Sequence, residues 1–271
     1  MLTGIGKTLF SMGTPALTAK TFKIRLLRNA TLVIETKAGR LLVDPMLSKK
    51  DAMDPVKNAG NDTRIPMVEL PITDSELQQL IQQTDAILVT HTHRDHWDVA
   101  AQQLIPKDKK IFCQPQDEQK IKDQGYTDVH AISDSAEWKG IRMHRTNGQH
   151  GTGDTGKLMA PVSGYVLEYK EEKLYIAGDT IFCDDVEQAI NTHKPHTIVV
   201  NAGGAQFLTG GPIVMNAADV IKTANLAKDA IIIAVHMEAI NHCFLKRPQL
   251  KEAVEKAGLT SVHIPADGEW I

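Results

Sequence analysis

The stretch "ILVTHTHRDHWD", residues 87–98, joins an apolar run to a dense cluster of polar side chains. The apolar residues at its start predict a buried strand. His91, His93, Asp95 and His96 follow that strand within six residues. Imidazole and carboxylate groups are the ligands that zinc and similar divalent cations favour in proteins. The stretch therefore predicts a metal-binding loop at the end of a strand, if other parts of the chain supply partners.

Three later strand ends supply such partners. His150 follows the predicted strand "IRMHRT", Asp179 follows "KLYIAG", and His236 follows "AIIIAV". Loops at one rim of a sheet sandwich can bring their side chains together while rigid strands support them. A single histidine on a loop is usually solvated or hydrogen-bonded. Ligand residue types at four strand ends favour a metal site instead.

The order of residues in the first loop predicts two cations. On a turn, His91 and His93 can point to one side, which leaves Asp95 and His96 to face a second position. Two-metal sites hold their cations about 3.5–4 Å apart. A carboxylate such as Asp179 can bridge two cations, whereas an imidazole cannot.

Strands and helices alternate along the whole chain. "FKIRLL", "TLVIET" and "RLLVDP" predict an N-terminal meander, and the capping box Thr73-x-x-Glu76 begins a helix after the polar stretch 48–70. Further helices are predicted at "PQDEQKIKDQ", "DVEQAINTH", "NAADVIKTANLA" and "RPQLKEAVEKA", with strands between them. The pattern predicts an α/β (α+β) protein, an αββα four-layer sandwich of two mixed β-sheets flanked by helices. We expect residues 1–271 to form a single domain.

Composition excludes several classes of protein. With 271 residues, 42% of them hydrophobic, the chain can bury a large core. Its net charge of −3 gives no field that would attract nucleic acid. No apolar stretch approaches the roughly 18 residues of a membrane span, and the N-terminal "TLFSMGTPALTA" is too interrupted for a signal peptide. Three scattered cysteines do not form a disulfide framework. We expect a cytoplasmic protein that acts on a small molecule, with homo-oligomers left open.

The ligand string resembles a known family. His91-Thr92-His93-Arg94-Asp95-His96, followed by His150, by Asp179 in "AGDT" and by His236, resembles the metallo-β-lactamase-fold hydrolases over essentially the whole chain. "RNATLVIET" and "LLVDPMLS" resemble the opening strands of the branch that contains ascorbate-6-phosphate lactonase, although Asn29 stands where many members have histidine. The resemblance implies the metallo-β-lactamase fold and two divalent ions, zinc or alternatively manganese. The implied ligands are His91, His93 and His150 for one ion and Asp95, His96 and His236 for the other, with Asp179 as the bridge.

Hydrolysis is the reaction that such a site predicts. Two cations lower the pKa of a shared water, so that hydroxide forms at neutral pH, and they polarise a carbonyl or phosphoryl oxygen. The lead prediction is a metal-dependent hydrolase of a small ester, lactone or amide, and a phosphodiesterase or nuclease is the alternative. A redox diiron protein comes third, because such relatives usually carry glutamate at the place of His93. Asp95 either orients the nucleophile, moves a proton or is a fixed ligand.

Other residues are candidates for smaller roles. His242 and Asn241 follow His236 closely enough to line the pocket, and we predict that His242 contacts the substrate. Asp44 either accepts a hydrogen bond from a metal-binding histidine or begins the turn before a proline. Cys183 and Cys243 are expected to be buried thiols rather than ligands.

Substrate preference is expected to lie in loops 48–70, 151–162 and 203–214, whose shapes the sequence does not fix. The glycine-rich loop before "GPIVMN" leads into a helix start that could hold one small anionic group. The lead substrates are therefore small lactones or esters, including phosphorylated ones.

Overall fold

The computed structural model describes residues 21–271, which form two mixed β-sheets with helices around them. Six strands build the first sheet in chain order. Each of its first three strands pairs antiparallel with the next of the three, and each of its last four pairs parallel with the next, so the third strand belongs to both sets. The strands are β1 (Lys23–Arg28), β2 (Thr31–Glu35), β3 (Arg40–Val43), β4 (Ala86–Val89), β5 (Lys110–Cys113) and β6 (Val129–Ala131).

Seven strands build the second sheet, again with sequence neighbours side by side. Antiparallel pairing of the first four gives way to parallel pairing of the last four. The strands are β7 (Ser135–Trp138), β8 (Ile141–Thr146), β9 (Gly164–Tyr169), β10 (Glu172–Ile176), β11 (Thr197–Asn201), β12 (Ile231–Val235) and β13 (Val262–His263).

Seven α-helices connect these strands: α1 (Asp74–Gln83), α2 (Val99–Leu104), α3 (Glu118–Asp123), α4 (Gly153–Leu158), α5 (Asp184–His193), α6 (Ala217–Leu226) and α7 (Arg247–Lys256). Helix α1 begins at the predicted capping box, in which the Thr73 hydroxyl accepts from the Glu76 amide and the Glu76 carboxylate accepts from the Thr73 amide. The predicted helix at 115–124 begins as a 3-10 turn, Pro115–Asp117, and becomes α3.

Alternating side chains along the strands build the layers. In β1, Leu26 belongs to the core between the two sheets, whereas Leu27 packs in the cluster that contains residues of α1, α2 and α3. In β10, Leu174 faces the core between the sheets, whereas Tyr175 packs with residues of α5, α6 and α7. Helices therefore cover the outer face of each sheet, which confirms the predicted αββα sandwich.

Three short elements were missed or wrongly predicted. Strand β7 has no apolar run, and α2 has only six residues, so neither shows a clear period. The prediction that 151–162 is a loop is wrong in part, because α4 lies within it. Its two glycines are poor helix formers, and this composition concealed the helix.

Two predictions concern residues 1–20 and lie outside the described residues. These are the interpretation of "TLFSMGTPALTA" and the N-terminal limit of the single domain 1–271. Between residues 21 and 271, no helix has the length and apolar character needed to cross a bilayer.

Candidate metal centre

The four strand ends singled out in the sequence meet at one place. The loop after β4 carries His91, His93, Asp95 and His96, and the residues that follow β8, β10 and β12 complete the cluster. Its side chains form two sets whose ligand atoms lie within 4.8 Å of one another. The first group is His91, His93, His150 and Asp179, and the second group is Asp95, His96, His236 and Asp179.

Asp179 belongs to both groups. Its Oδ2 lies 3.7 Å from His91 Nε2 and 3.8 Å from His150 Nε2 in the first group. The same oxygen lies 3.2 Å from His96 Nε2, and Oδ1 lies 3.5 Å from His236 Nε2, in the second group. One carboxylate therefore lies between two sets of imidazole nitrogens, as a bridging ligand would.

The separations within each group fit a cation. Ligand nitrogens about 2.0–2.1 Å from a tetrahedral zinc ion are roughly 3.3 Å apart. In the second group, His236 Nε2 lies 3.1 Å from Asp95 Oδ2. In the first group, His91 Nε2 lies 2.9 Å from His93 Nδ1. Nitrogen and carboxylate donors of this kind suit zinc, and the residues present can hold a metal ion.

A buried acceptor orients His96. Asp44 Oδ2 accepts a hydrogen bond from His96 Nδ1 at 2.8 Å. The same carboxylate accepts from the Thr90 amide and the Thr90 hydroxyl, each at 2.7 Å. With a proton on Nδ1, the Nε2 atom of His96 is free to face the cluster. Asp44 therefore forms the predicted hydrogen bond with His96, and its φ of 45° in the bend before Pro45 also fits the predicted turn.

Other histidines and the shared carboxylate also have partners behind them. His150 Nδ1 donates to the Ile213 carbonyl at 2.7 Å, and the Asn201 amide donates to Asp179 Oδ1 at 2.6 Å. Sequence reasoning missed Asn201. This residue is the last of β11, so its place at a strand end is similar to that of the predicted ligands, which follow other strands. No signal in the sequence points to the Ile213 carbonyl, because every residue has a backbone carbonyl.

Burial and charge act against each other in the cluster. Burial lowers the pKa of His91 and of His150, so both stay neutral at ordinary pH. Burial would also lower the pKa of His96, but the surrounding carboxylates, Asp179 first, outweigh it and raise that pKa to about 10. Burial would raise the pKa of Asp95 and of Asp179, but the histidines, His96 first, hold both well below their usual range. The carboxylates are ionised, and the site favours cations.

His242 is buried beside the cluster. Its ring packs on Phe207 with centroids 5.7 Å apart, and its Nδ1 has no hydrogen-bond partner among residues 21–271. Burial lowers the pKa of His242 to about 4, so the ring is neutral at pH 7. Its neighbour Asn241 instead binds a loop, since its side chain exchanges hydrogen bonds with the Val56 amide and carbonyl.

The cysteines lie behind the ligands. Cys243 Sγ is 3.5 Å from His236 Nδ1, so this thiol contacts a member of the second group from outside. Cys183 lies near the Thr180 hydroxyl and is only half-buried, so the prediction of a buried thiol is wrong for this residue. Neither cysteine belongs to the two metal-ligand groups among the described residues.

Two sheets flanked by helices, with a shared-carboxylate cluster at their rim, define a metal-dependent hydrolase of the metallo-β-lactamase fold. Residues 40–237 match the model of the β-lactamase superfamily domain, and the chain belongs to this family. The predicted family and fold are thereby confirmed, whereas the likeness to the lactonase branch stays a prediction.

The similarity extends over nearly the full length of known relatives. UPF0173 protein YddR of Bacillus subtilis is 37% identical over 251 residues, which cover 91% of this chain and 98% of the relative. The crystal structure of an isothiocyanate hydrolase from Delia radicum gut bacteria is 37% identical, with a TM-score of 0.86 and 92% and 98% of the two chains covered. That of a possible metal-dependent hydrolase from Veillonella parvula is 34% identical, with a TM-score of 0.88 and 93% and 99% covered.

Proposed function

We propose that this chain is a hydrolase with two divalent cations that cleaves a small, uncharged substrate, with esters, lactones and amides as the first class. The observation that carries the proposal is the pair of four-residue groups that share Asp179. His91, His93 and His150 would hold one cation, and Asp95, His96 and His236 the other. We expect zinc, with manganese as the alternative. When bound, two such cations supply an acidified water and polarise the oxygen of a substrate.

Residues of the chain would position the attacking water and the substrate. Asp179 is only 4% exposed at its side chain, whereas Asp95 is 13% exposed. Of the two carboxylates, Asp95 is thus the one that substrate and water can reach. It would orient the attacking water or carry its proton while also serving as a ligand. Neutral His242, stacked on Phe207, would contact the substrate.

The surroundings favour an apolar substrate over a phosphorylated one. Ile213, whose carbonyl holds His150, packs in a cluster with Met53, Val56, Met159 and Phe207. The helix start that the sequence offered for an anion is already capped, because Asn216 accepts from the Asp219 amide. The Asp219 carboxylate there would repel an anion. An uncharged lactone or ester is therefore expected to be a better substrate than a phosphorylated one.

Isothiocyanates are a second candidate class. The similarity to the isothiocyanate hydrolase covers nearly both whole chains at 37% identity, which is the specific observation in their favour. In this reaction water adds to the central carbon of R–N=C=S, and the C–N bond breaks to release the amine R–NH2 and carbonyl sulfide. An uncharged group R would suit the apolar cluster at Ile213 and Phe207.

We also propose that residues 1–271 form one hydrolase domain that works in the cytoplasm without nucleic-acid or membrane partners. The net charge of −3 and the scattered cysteines support this. A phosphodiesterase or nuclease remains the alternative function, because the same pair of cation positions would serve it. A net charge of −3 disfavours the binding of a polyanion.

One preparation can test these classes against each other. Protein purified without chelator is assayed for metal content by elemental analysis, with about two cations per chain expected. The same protein is then given an aryl ester, a lactone, an aryl isothiocyanate, a bis-aryl phosphodiester, RNA and DNA. His93→Ala should abolish turnover. The control is His130→Ala, which should not, because His130 is exposed and pairs with Asp128. His93-dependent cleavage of nucleic acid without turnover of the small substrates would overturn the proposal.

A further inference from the structure

Asn29 lies at the turn between β1 and β2, far from the cluster in sequence. Arg28 pairs with Thr31, so Asn29 and Ala30 form the turn of this hairpin. The backbone of Asn29 has a φ of 56°, in the left-handed region, which asparagine tolerates better than most residues. Its side chain is completely buried. A buried polar residue at a hairpin turn needs partners, and these identify its role.

Both partners of Asn29 belong to the second group. The side-chain amide donates a hydrogen bond to the Asp95 carbonyl at 3.0 Å. The main-chain carbonyl accepts from the His236 amide at 2.9 Å. Asp95 follows a strand of the first sheet, and His236 follows a strand of the second. One residue thus holds together the backbones of two residues from opposite sheets whose side chains face each other at 3.1 Å.

The first group has no such link to Asn29. Within residues 21–271, no hydrogen bond joins Asn29 to His91, His93 or His150. His150 is instead held by the Ile213 carbonyl. Removal of the Asn29 side chain should therefore disturb the two groups unequally.

The hairpin that carries Asn29 is itself anchored. The Arg28 guanidinium donates to the carbonyls of Met46, Ser48 and Val68 at 2.8–3.0 Å. These bonds hold the turn against Met46 and against the two ends of loop 48–70. A turn held by three hydrogen bonds can support Asn29 in one position relative to Asp95 and His236.

We propose that Asn29 is a positioning residue that sets the spacing of Asp95 and His236 and thereby governs the second cation position, while the first position depends on it little. The proposal rests on the proposed two-cation function. Loss of a group that orients a metal ligand typically costs roughly 10- to 100-fold in metal affinity. That loss should fall on one of the two equivalents of metal and leave the other unchanged.

Two variants separate the side chain from the backbone. Asn29→Gly removes the amide and keeps the left-handed turn, since glycine adopts positive φ freely. Asn29→Asp keeps the shape but cannot donate to the Asp95 carbonyl when ionised. The matched control is Asn58→Gly, because Asn58 is exposed, has a φ of 58°, and its side chain forms no hydrogen bond within residues 21–271.

The measurement is a stepwise titration of metal-free protein with cobalt(II), followed by its absorption spectrum and by competition with a chelator, with thermal unfolding of each metal-free variant recorded. Wild type and Asn58→Gly should take two equivalents. Asn29→Gly and Asn29→Asp should bind one equivalent as wild type does and the other roughly 10- to 100-fold more weakly.

Two outcomes count against the proposal, and they differ. If the Asn29 variants are folded and bind both equivalents as wild type does, or lose both equally, Asn29 does not govern the second position. If wild type itself takes fewer than two equivalents, the two-cation function fails, and this inference fails with it.

Discussion

Asp44→Asn is the substitution that tests most directly how the site prepares a ligand. The carboxylate of Asp44 is buried, and three donors point at it. Oδ1 accepts from the Thr90 amide, while Oδ2 accepts from the Thr90 hydroxyl and from His96 Nδ1, all at 2.7–2.8 Å. Asparagine has the same shape but offers one oxygen and one NH2 group. The substitution therefore turns one end of an acceptor into a donor.

The new NH2 group must face those of the present donors that can become acceptors. The Thr90 amide cannot stop donating, so the oxygen of the new side chain must face it. The NH2 group then faces His96 Nδ1 and the Thr90 hydroxyl, which can rotate to accept. To accept at Nδ1, His96 must carry its proton on Nε2, the atom 3.2 Å from Asp179 Oδ2. That tautomer cannot bind a cation.

The expected cost is a loss of roughly 10- to 100-fold in affinity for the cation that His96 would bind, or about 1.4–2.7 kcal/mol, with the other metal equivalent unchanged. Competition with a chromophoric chelator measures this affinity without any substrate. Asp51→Asn is the matched control, because Asp51 is exposed and also has positive φ, 59° against 45° for Asp44. Wild-type affinity for both equivalents in a folded Asp44→Asn protein would refute the tautomer argument.

Three further predictions follow from the same contacts. A Cβ at Gly203 would lie 2.2 Å from the His236 carbonyl, so Gly203→Ala should cost about 1–3 kcal/mol of stability, seen as a lower Tm, and an unchanged Tm would contradict this. Asp179→Ala should lose far more activity and metal than Cys183→Ala, because only Asp179 joins both groups, and equal losses would exclude a bridging role. Without metal, the pKa of His96 is raised to about 10, whereas histidine in an unfolded chain has a pKa of about 6.5. Protonated His96 therefore stabilises the metal-free fold below about pH 6.5, and this stabilisation is lost as the pH rises through about 10. Metal must displace that proton, so affinity should increase from pH 6.5 to 9 with proton release in calorimetry, and a flat profile would contradict the shift.

The fold was predictable where local signals and the hydrophobic period agree. The capping box at Thr73 begins α1 as expected, and Gly125 and Gly258 end helical segments with φ of 91° and 68°. The prediction failed for α2 and α4. These helices are too short for an apolar period, and α4 contains glycines, so contacts with the rest of the fold decide their conformation.

The candidate site was predictable for a different reason. A cation demands particular residue types, and rigid strands place them at loop starts, so type and position together reveal the seven candidate ligands. Asn201 follows the same rule and could have been found by it. Asn29 could not, because its role depends on backbone groups of Asp95 and His236, which are 66 and 207 residues away. Every residue has a backbone amide and carbonyl, so nothing in the sequence points to Asp95 and His236 as the partners of Asn29.

We expect substrate preference to depend on contacts among the segments 48–70, 151–162 and 203–214. The Leu208 amide donates to the Asn58 carbonyl at 2.8 Å, and a Cβ at Gly210 would lie 2.3 Å from the Thr155 hydroxyl, so each loop touches another. All three loops also contribute apolar side chains to the cluster that contains Ile213. Since Ile213 in turn holds His150, repacking of any one loop reaches the first group through this cluster. The three segments therefore share one packed cluster with the residue that holds His150, and we expect a substitution that repacks one segment to be felt at His150.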